Sequence, residues 1–420
     1  MTVENIDTVI VGGGQAGLAM SEHLGQLGIE HLILERYRIA ERWRSERWDS
    51  LVANGPAWHD RFPTLEFSDT EPGAFPGKER VADYFVEYAQ VIKAPIRCGV
   101  EVTSAEKLPG QMGFRVETSQ GAIEARNVVA ATGPFQRPVI PPVIPEQTDV
   151  LQMHSNAYRN PENLPQGAIL VVGAGSSGGQ IADELLRAGR KVYLSVGPHD
   201  RPPRSYRGHD FVWWLGVLGK WDATALDPGT EHVTISVSGA RGGHTVDFRQ
   251  LAEKGMNLVG LTMSFEDSIL HFADDLGDNI AHGDNNYLSV LDEADEWVER
   301  NGLDLPLEPE ARLIGPDPEC VTHPIRQLNL KQAGISTVIW ATGYAVDYSW
   351  LKVDSFDERG NPIHQRGVSS ESGVYFVGLP WQSRRGSSFI WGVWHDAKYV
   401  ADQIAIQRSY ITHHNSTQTS

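Results

Sequence analysis

The chain has 420 residues, too many for one ordinary core, and its 40% hydrophobic and 21% charged composition is that of a folded protein with two or three lobes. A formal charge of −18 argues against nucleic acid or an anionic membrane as partner, because phosphates would be repelled. Two cysteines, Cys98 and Cys320, cannot supply a CxxC redox pair or a zinc cluster. The N-terminus lacks the basic and apolar regions of a signal peptide, and the most apolar run, Phe211 to Leu218, is too short to span a bilayer, so the expected location is cytoplasmic.

The first predicted unit is a β-branched strand, Thr8 to Val11, entering Gly12-x-Gly14-x-x-Gly17, then a helix with Leu18, Leu24 and Leu27 spaced on one face. A short second strand, His31 to Glu35, follows. Gly12 permits the tight turn, Gly14 lets backbone approach a diphosphate, and Gly17 lets helix pack on strand. The diphosphate would sit at the positive helix end, and Glu35 would accept hydrogen bonds from ribose hydroxyls. That acid points to FAD. Gln15, Ala16, Arg36 and Val102 complete this expected FAD set, with Thr132 and Gly133 from the strand Val128 to Gly133 that ends in Ala-Thr-Gly. Pro138, Pro141, Pro142 and Pro145 then mark a crossing between domains.

The same unit recurs. Ala168 to Val172 enters Gly173-x-Gly175-x-x-Gly178, with Ser176 and Ser177 between the glycines, followed by a helix bearing Ile181, Leu185 and Leu186 and by a strand, Lys191 to Val196. Val338 to Gly343 repeats the Ala-Thr-Gly ending, with Thr342 and Gly343 matching Thr132 and Gly133. Here Val196 stands where Glu35 stood, and Arg201, Arg204 and Arg207 follow. Arginine binds a 2′-phosphate that a carboxylate would repel, so this unit favours NADPH over NADH. Ser195, at the strand end, is a further candidate contact. The bland alternative for the arginines is a solvated loop. The fold expected is α/β, with two Rossmann-like dinucleotide-binding domains, the second inserted in the first. Residues 1–145 and 331–420 form the FAD domain and 146–330 the NAD(P)H domain. Residues 206–320 read as an extension holding an aromatic patch at Trp213 and Trp214 and an amphipathic helix from Tyr287 to Arg300. One more strand, Gly373 to Val377, and a closing helix from about Asp396 to Gln407 complete the chain.

These residues resemble the class B flavin monooxygenases, which include flavin-containing monooxygenases, Baeyer–Villiger monooxygenases and the plant auxin-forming enzymes, and, most closely, a bacterial group of flavoproteins associated with potassium transport. The resemblance runs from Ile6 to about Ile406. It implies insertion of one oxygen atom from O2 into a small organic substrate through a C4a-(hydro)peroxyflavin. It places Trp43 beside the flavin, with Trp48 close behind. In the run Ser50-Leu51-Val52-Ala53-Asn54 it makes Asn54 the candidate catalytic residue, against the plainer role of a turn asparagine before Gly55-Pro56. It puts Gly378 and the loop through Gln382 against the flavin. The family signature F-x-G-x-x-x-H-x-x-x-(Y/W) falls on Thr148, Val150, His154 and Tyr158, so its phenylalanine and glycine are missing and tight coupling of NADPH oxidation to oxygenation is in doubt. A lone histidine such as His154 is more often structural than a proton carrier. Trp381, Phe389, Trp391 and Trp394, with Trp213 and Trp214, either line a pocket for an aromatic or apolar substrate or pack as core. Expected partners are that substrate, dioxygen and, in a homodimer, a second copy. The alternatives are a plain NAD(P)H-dependent reductase and a flavoprotein sensor without catalysis. No metal is expected.

Overall fold

A computed structural model describes residues 3–224 and 234–418. Two sheets organise the chain, and their inner strands carry near-continuous apolar runs because both faces are packed, one mainly by helices and the other mainly by strands and loops. In the first sheet, β1 (Glu4–Val11) leads through α1 (Gln15–Gln26) to β2 (His31–Glu35). β3 (Gly121–Ala130) lies on the other side of β1 and runs parallel to it, pairing Val11 with Ala130. The second unit starts with β4 (Ala168–Val172), passes through α2 (Ser176–Arg187) to β5 (Val192–Ser195), and is closed by β6 (Ile335–Trp340). The last parallel strand, β7 (Val374–Phe376), joins β3 in the first sheet, and α3 (Ile390–Gln418) ends the chain.

The first four strands of both parallel cores follow one order. Across the parallel core of the first it is Ile96–Cys98, β2, β1, β3, β7. Across the second it is Asn257–Val259, β5, β4, β6, Leu151–His154, all parallel. Ile169, Leu170 and Val171 of β4 are fully buried, as are Val9 and Ile10 of β1. An antiparallel pair, Val102–Lys107 and Phe114–Thr118, extends the first sheet beyond the first half of β3.

Two expectations need correction. β6 pairs with β4 and with Leu151–His154, so it belongs to the second sheet and the boundary drawn at residue 331 falls about ten residues early. The return crossing is at Tyr344–Ala345, which pairs antiparallel with the outward crossing at Arg137–Pro138. Backbone pairing between the two linkers thus ties both passages together. The amphipathic helix expected from Tyr287 is longer, Leu276–Asn301. Its first turns bury Leu276 and Ile280 among polar contacts that break up the apolar pattern: Asn279 Nδ2 donates to Val196 O at 3.0 Å, and Asp284 accepts from Arg201 and Arg249.

Candidate functional site

At the first glycine turn, Gly12 has φ +116° and lies so close to the end of β3 that a Cβ there would stand 2.5 Å from Ala131 O. A Cβ on Gly17 would fall 1.9 Å from Gly12 O, so the helix meets the turn in backbone contact. Gly14 is different: a Cβ there meets nothing within 4 Å, and Gly14 faces a cavity of about 690 Å³. Gly14 caps α1 without a side-chain bond. The first amides of α1 therefore present partial positive charge toward open space.

Glu35 lies at the cavity edge, with Oε2 accepting from Gly13 N at 2.7 Å and Oε1 from Tyr37 N at 2.8 Å. The two amides fix the carboxylate and leave lone pairs for other donors. Gly12, Gly14, Gln15, Ala16, Glu35, Arg36, Trp43, Val102, Thr132, Gly133 and Gly378 all line this cavity. Its size and donors fit a dinucleotide such as FAD. The sequence reading missed Arg42, Arg47, Gln136 and Trp350 in the same lining. Arg42 and Arg47 flank Trp43, and that adjacency was the available signal.

Four residues of the expected set do not line this cavity. Gly17 makes the helix–strand contact expected of it. Trp48 is 5% exposed and packs in the second lobe's core with Tyr158, Ile181 and Leu185. Gln382 is buried and braces the turn after β7, Oε1 accepting from Gly378 N at 3.0 Å. Asn54 sits at the seam between lobes: its Oδ1 accepts from Gln180 Nε2 at 2.9 Å, and its carbonyl accepts from Arg204 Nη1 at 2.7 Å.

The second turn repeats the inner geometry of the first. Gly173 has φ +112°, a Cβ there would stand 2.5 Å from Ala341 O, and a Cβ on Gly178 would fall 1.8 Å from Gly173 O. Gly175 again caps its helix without a side-chain bond, and Ser177 is exposed. The residues expected to choose the nucleotide are committed to other partners. Ser195 is buried, with Oγ donating to Gly260 O at 2.9 Å and accepting from Thr262 N at 3.1 Å. Arg201 pairs with Asp284 at 2.7 Å and lies over the Tyr287 ring. Arg204 forms a two-pronged pair with Asp210, its Nε 3.0 Å from Oδ2. Arg207 pairs with Asp295 at 2.7 Å. Carboxylates downstream in the extension already neutralise all three, so they do not favour a 2′-phosphate, and the solvated-loop alternative fails too. Thr342 and Gly343 hold the interdomain crossing: Thr342 Oγ1 donates to Val139 O at 2.6 Å, and His154 Nε2 donates to Gly343 O at 2.9 Å. Burial pushes the His154 imidazole below its ordinary value, which keeps it a neutral donor.

The aromatic residues form two separate groups. Trp213 stacks on His209 at 3.8 Å and meets Trp297 edge-on at 5.6 Å, inside the extension. Trp221 gathers His59, Phe389 and Trp391 at 5.2, 5.2 and 5.7 Å, between the extension and the start of α3. Trp394 donates to Glu22 Oε2 at 2.6 Å, tying α3 to α1. Among the described residues, no helix is long and apolar enough to cross a membrane, and no group of three or more His, Cys, Asp or Glu side chains could hold a metal.

Comparison with known proteins gives consistent findings. Residues 9–209 match the pyridine nucleotide-disulphide oxidoreductase family. An uncharacterized CzcO-like oxidoreductase of Geobacillus kaustophilus is 36% identical over 95% of this chain and 98% of its own. Indole-3-pyruvate monooxygenase YUCCA1 of rice is 26% identical, covering 95% and 91%. The solved flavin-containing monooxygenase of Stenotrophomonas maltophilia shares the fold, with a TM-score of 0.66 at 19% identity over 96% and 99% of the two chains. Taken with the geometry of the first glycine turn, this defines a flavin-dependent oxidoreductase. The chain belongs to the CzcO-like oxidoreductases, within the class B flavin monooxygenase-like family.

Proposed function

We propose that this chain is an FAD- and NADPH-dependent monooxygenase that transfers one oxygen atom from dioxygen to a small aromatic or apolar substrate. The observation that carries the reading is the cavity over Gly14, edged by Glu35 and of dinucleotide size. FAD, when bound, supplies the chemistry: it accepts a hydride from the nicotinamide and reacts with dioxygen. The chain's own part is placement. Gly12 and Gly14 bring α1's amides to the diphosphate, Glu35 takes the ribose hydroxyls, and Trp43 lines the wall. Asn54 is the residue proposed to act on the reacting end. Residues 3–145 and about 341–418 are assigned to the FAD lobe, and the described residues between them to the nicotinamide lobe.

NADPH is named first because one protein of the same fold is a steroid monooxygenase solved bound to NADP. The rice relative's substrate, an aromatic 2-oxo acid, supports an aromatic substrate. The test is isotopic. FAD-loaded protein is supplied with NADPH, 18O2 and either indole-3-pyruvate or phenylpyruvate. Label in the organic product supports oxygenation. NADPH consumed with all the oxygen recovered as hydrogen peroxide refutes it in favour of a reductase or oxidase.

A further inference from the structure

The two glycine turns match in their inner contacts and differ in what covers them. Above Gly14 is open cavity, whereas a Cβ on Gly175 would meet Thr234 Cγ2 at 3.4 Å and Ile235 O at 3.9 Å. Ser176, the first residue of α2, donates both its amide and its hydroxyl to Ile235 O, each at 2.8 Å. Ser176 Oγ in turn accepts from Val237 N at 3.3 Å, and Ser236 Oγ donates to Ala174 O. Gln180 Nε2, one turn along α2, donates to Val237 O at 2.7 Å. Asp200 holds the other edge of the segment, donating its amide to Thr234 O at 2.7 Å and accepting from Ser236 N at 2.9 Å. Ser236 and Ser238 are fully buried.

A carbonyl oxygen at a helix N-terminus places partial negative charge where a phosphate oxygen would bind, and one N–H cannot serve both fully. We propose that residues 234–238 are a built-in competitor for the diphosphate of the nicotinamide dinucleotide at α2, displaced when the second fold is loaded. The proposal rests on the reading that this fold takes that dinucleotide. A diphosphate can displace the strap because its charged oxygens form stronger bonds to amides than a neutral carbonyl does. Displacement also has a route to the other lobe. The Gln180 amide that binds Val237 O binds Asn54 Oδ1 as well, so releasing the strap changes the hold on Asn54.

The test uses FAD-loaded full-length protein and NADP+ as probe, with flavin content and melting temperature as controls on folding. S236P removes the amide that bonds Asp200, and S236A removes the hydroxyl that bonds Ala174. A strap that holds most molecules closed reduces apparent affinity by the open fraction. NADP+ should therefore bind S236P roughly tenfold tighter than wild type and S236A a few-fold tighter. In wild type, saturating NADP+ should speed hydrogen exchange at the amides of Ser236 and Val237. Equal affinities, with those amides still protected at saturation, would overturn the strap while leaving the nucleotide fold intact. Failure of NADP+ to bind any of the three proteins would overturn the reading of the second fold, and the strap with it. If S236P loses its flavin, S236A and the exchange measurement on wild type decide between the same outcomes.

Discussion

Asn54 Oδ1 accepts a 2.9 Å hydrogen bond from Gln180 Nε2, joining a loop of the first lobe to the helix that opens the second nucleotide unit. The Asn54 side chain is otherwise exposed, so N54A loses one hydrogen bond and about 1 kcal/mol of stability. The proposed function gives it a larger effect on chemistry. Oxygenated product per NADPH consumed should fall roughly tenfold or more, with hydrogen peroxide rising to match. Unchanged product yield in N54A would remove Asn54 from the reacting end.

Substitutions at neighbouring glycines should separate folding from binding. In G12A the new methyl would stand 2.5 Å from Ala131 O at a φ of +116°, at a cost of ~3 kcal/mol or more. G14A meets nothing within 4 Å, so its melting temperature without cofactor should match wild type. Its methyl instead stands where the diphosphate approaches, and FAD affinity should fall by roughly tenfold or more. Flavin titration and melting of the cofactor-stripped proteins read the two effects apart.

Trp43 and Trp48 are near in sequence, but Trp43 lines the cavity while packing against both cores, and Trp48 is buried in the second lobe's core. W48A opens a hole in the second lobe's core and should cost about 3–5 kcal/mol, with the flavin spectrum of the surviving folded protein unchanged. W43A alters the cavity wall and should change flavin affinity and absorbance with a smaller loss of stability. Chemical denaturation beside visible spectra distinguishes them.

The arginines after β5 should govern stability and leave nucleotide choice alone. R201A removes one of the two arginines that share Asp284, leaving Arg249 to pair it, and should destabilise by about 1–3 kcal/mol. R207A, at a partly exposed pair, should cost about 1 kcal/mol. Neither should change the ratio of NADPH to NADH kcat/KM. A shift in that ratio toward NADH in R207A would restore the arginine to phosphate binding.

Acid should weaken the fold through its buried histidines. Burial holds His31 and His154 below their ordinary value of 6.5, so the unfolded chain takes up protons before the folded one. Their contribution is complete above the unfolded value and is lost as pH falls through the folded one, at up to about 1.4 kcal/mol per pH unit for each group. The melting temperature should drop as pH falls below about 6.5, and H154Q should flatten that slope.

The local periodicities were sufficient for the repeated strand–turn–helix–strand, because a glycine turn, a β-branched run and a helical face are all properties of adjacent residues. Glu35 and the glycines Gly12 and Gly14 were legible for the same reason, their spacing being short enough for the chemistry to fix it. Tertiary structure decided matters that depend on residues far apart in the chain. Arg201 and Arg207 read as phosphate ligands until folding brought Asp284 and Asp295 to them, while Arg204 is taken by Asp210 across a local hairpin. The boundary at residue 331 separated β6 from the unit it closes until its pairing with β4 placed the edge after it. The carbonyl of Ile235 reaches Ser176 from 59 residues away, and a backbone oxygen leaves no mark in a side-chain pattern. Charge neutralisation, strand partnership and backbone capping are all settled by distance in space, which sequence spacing does not encode.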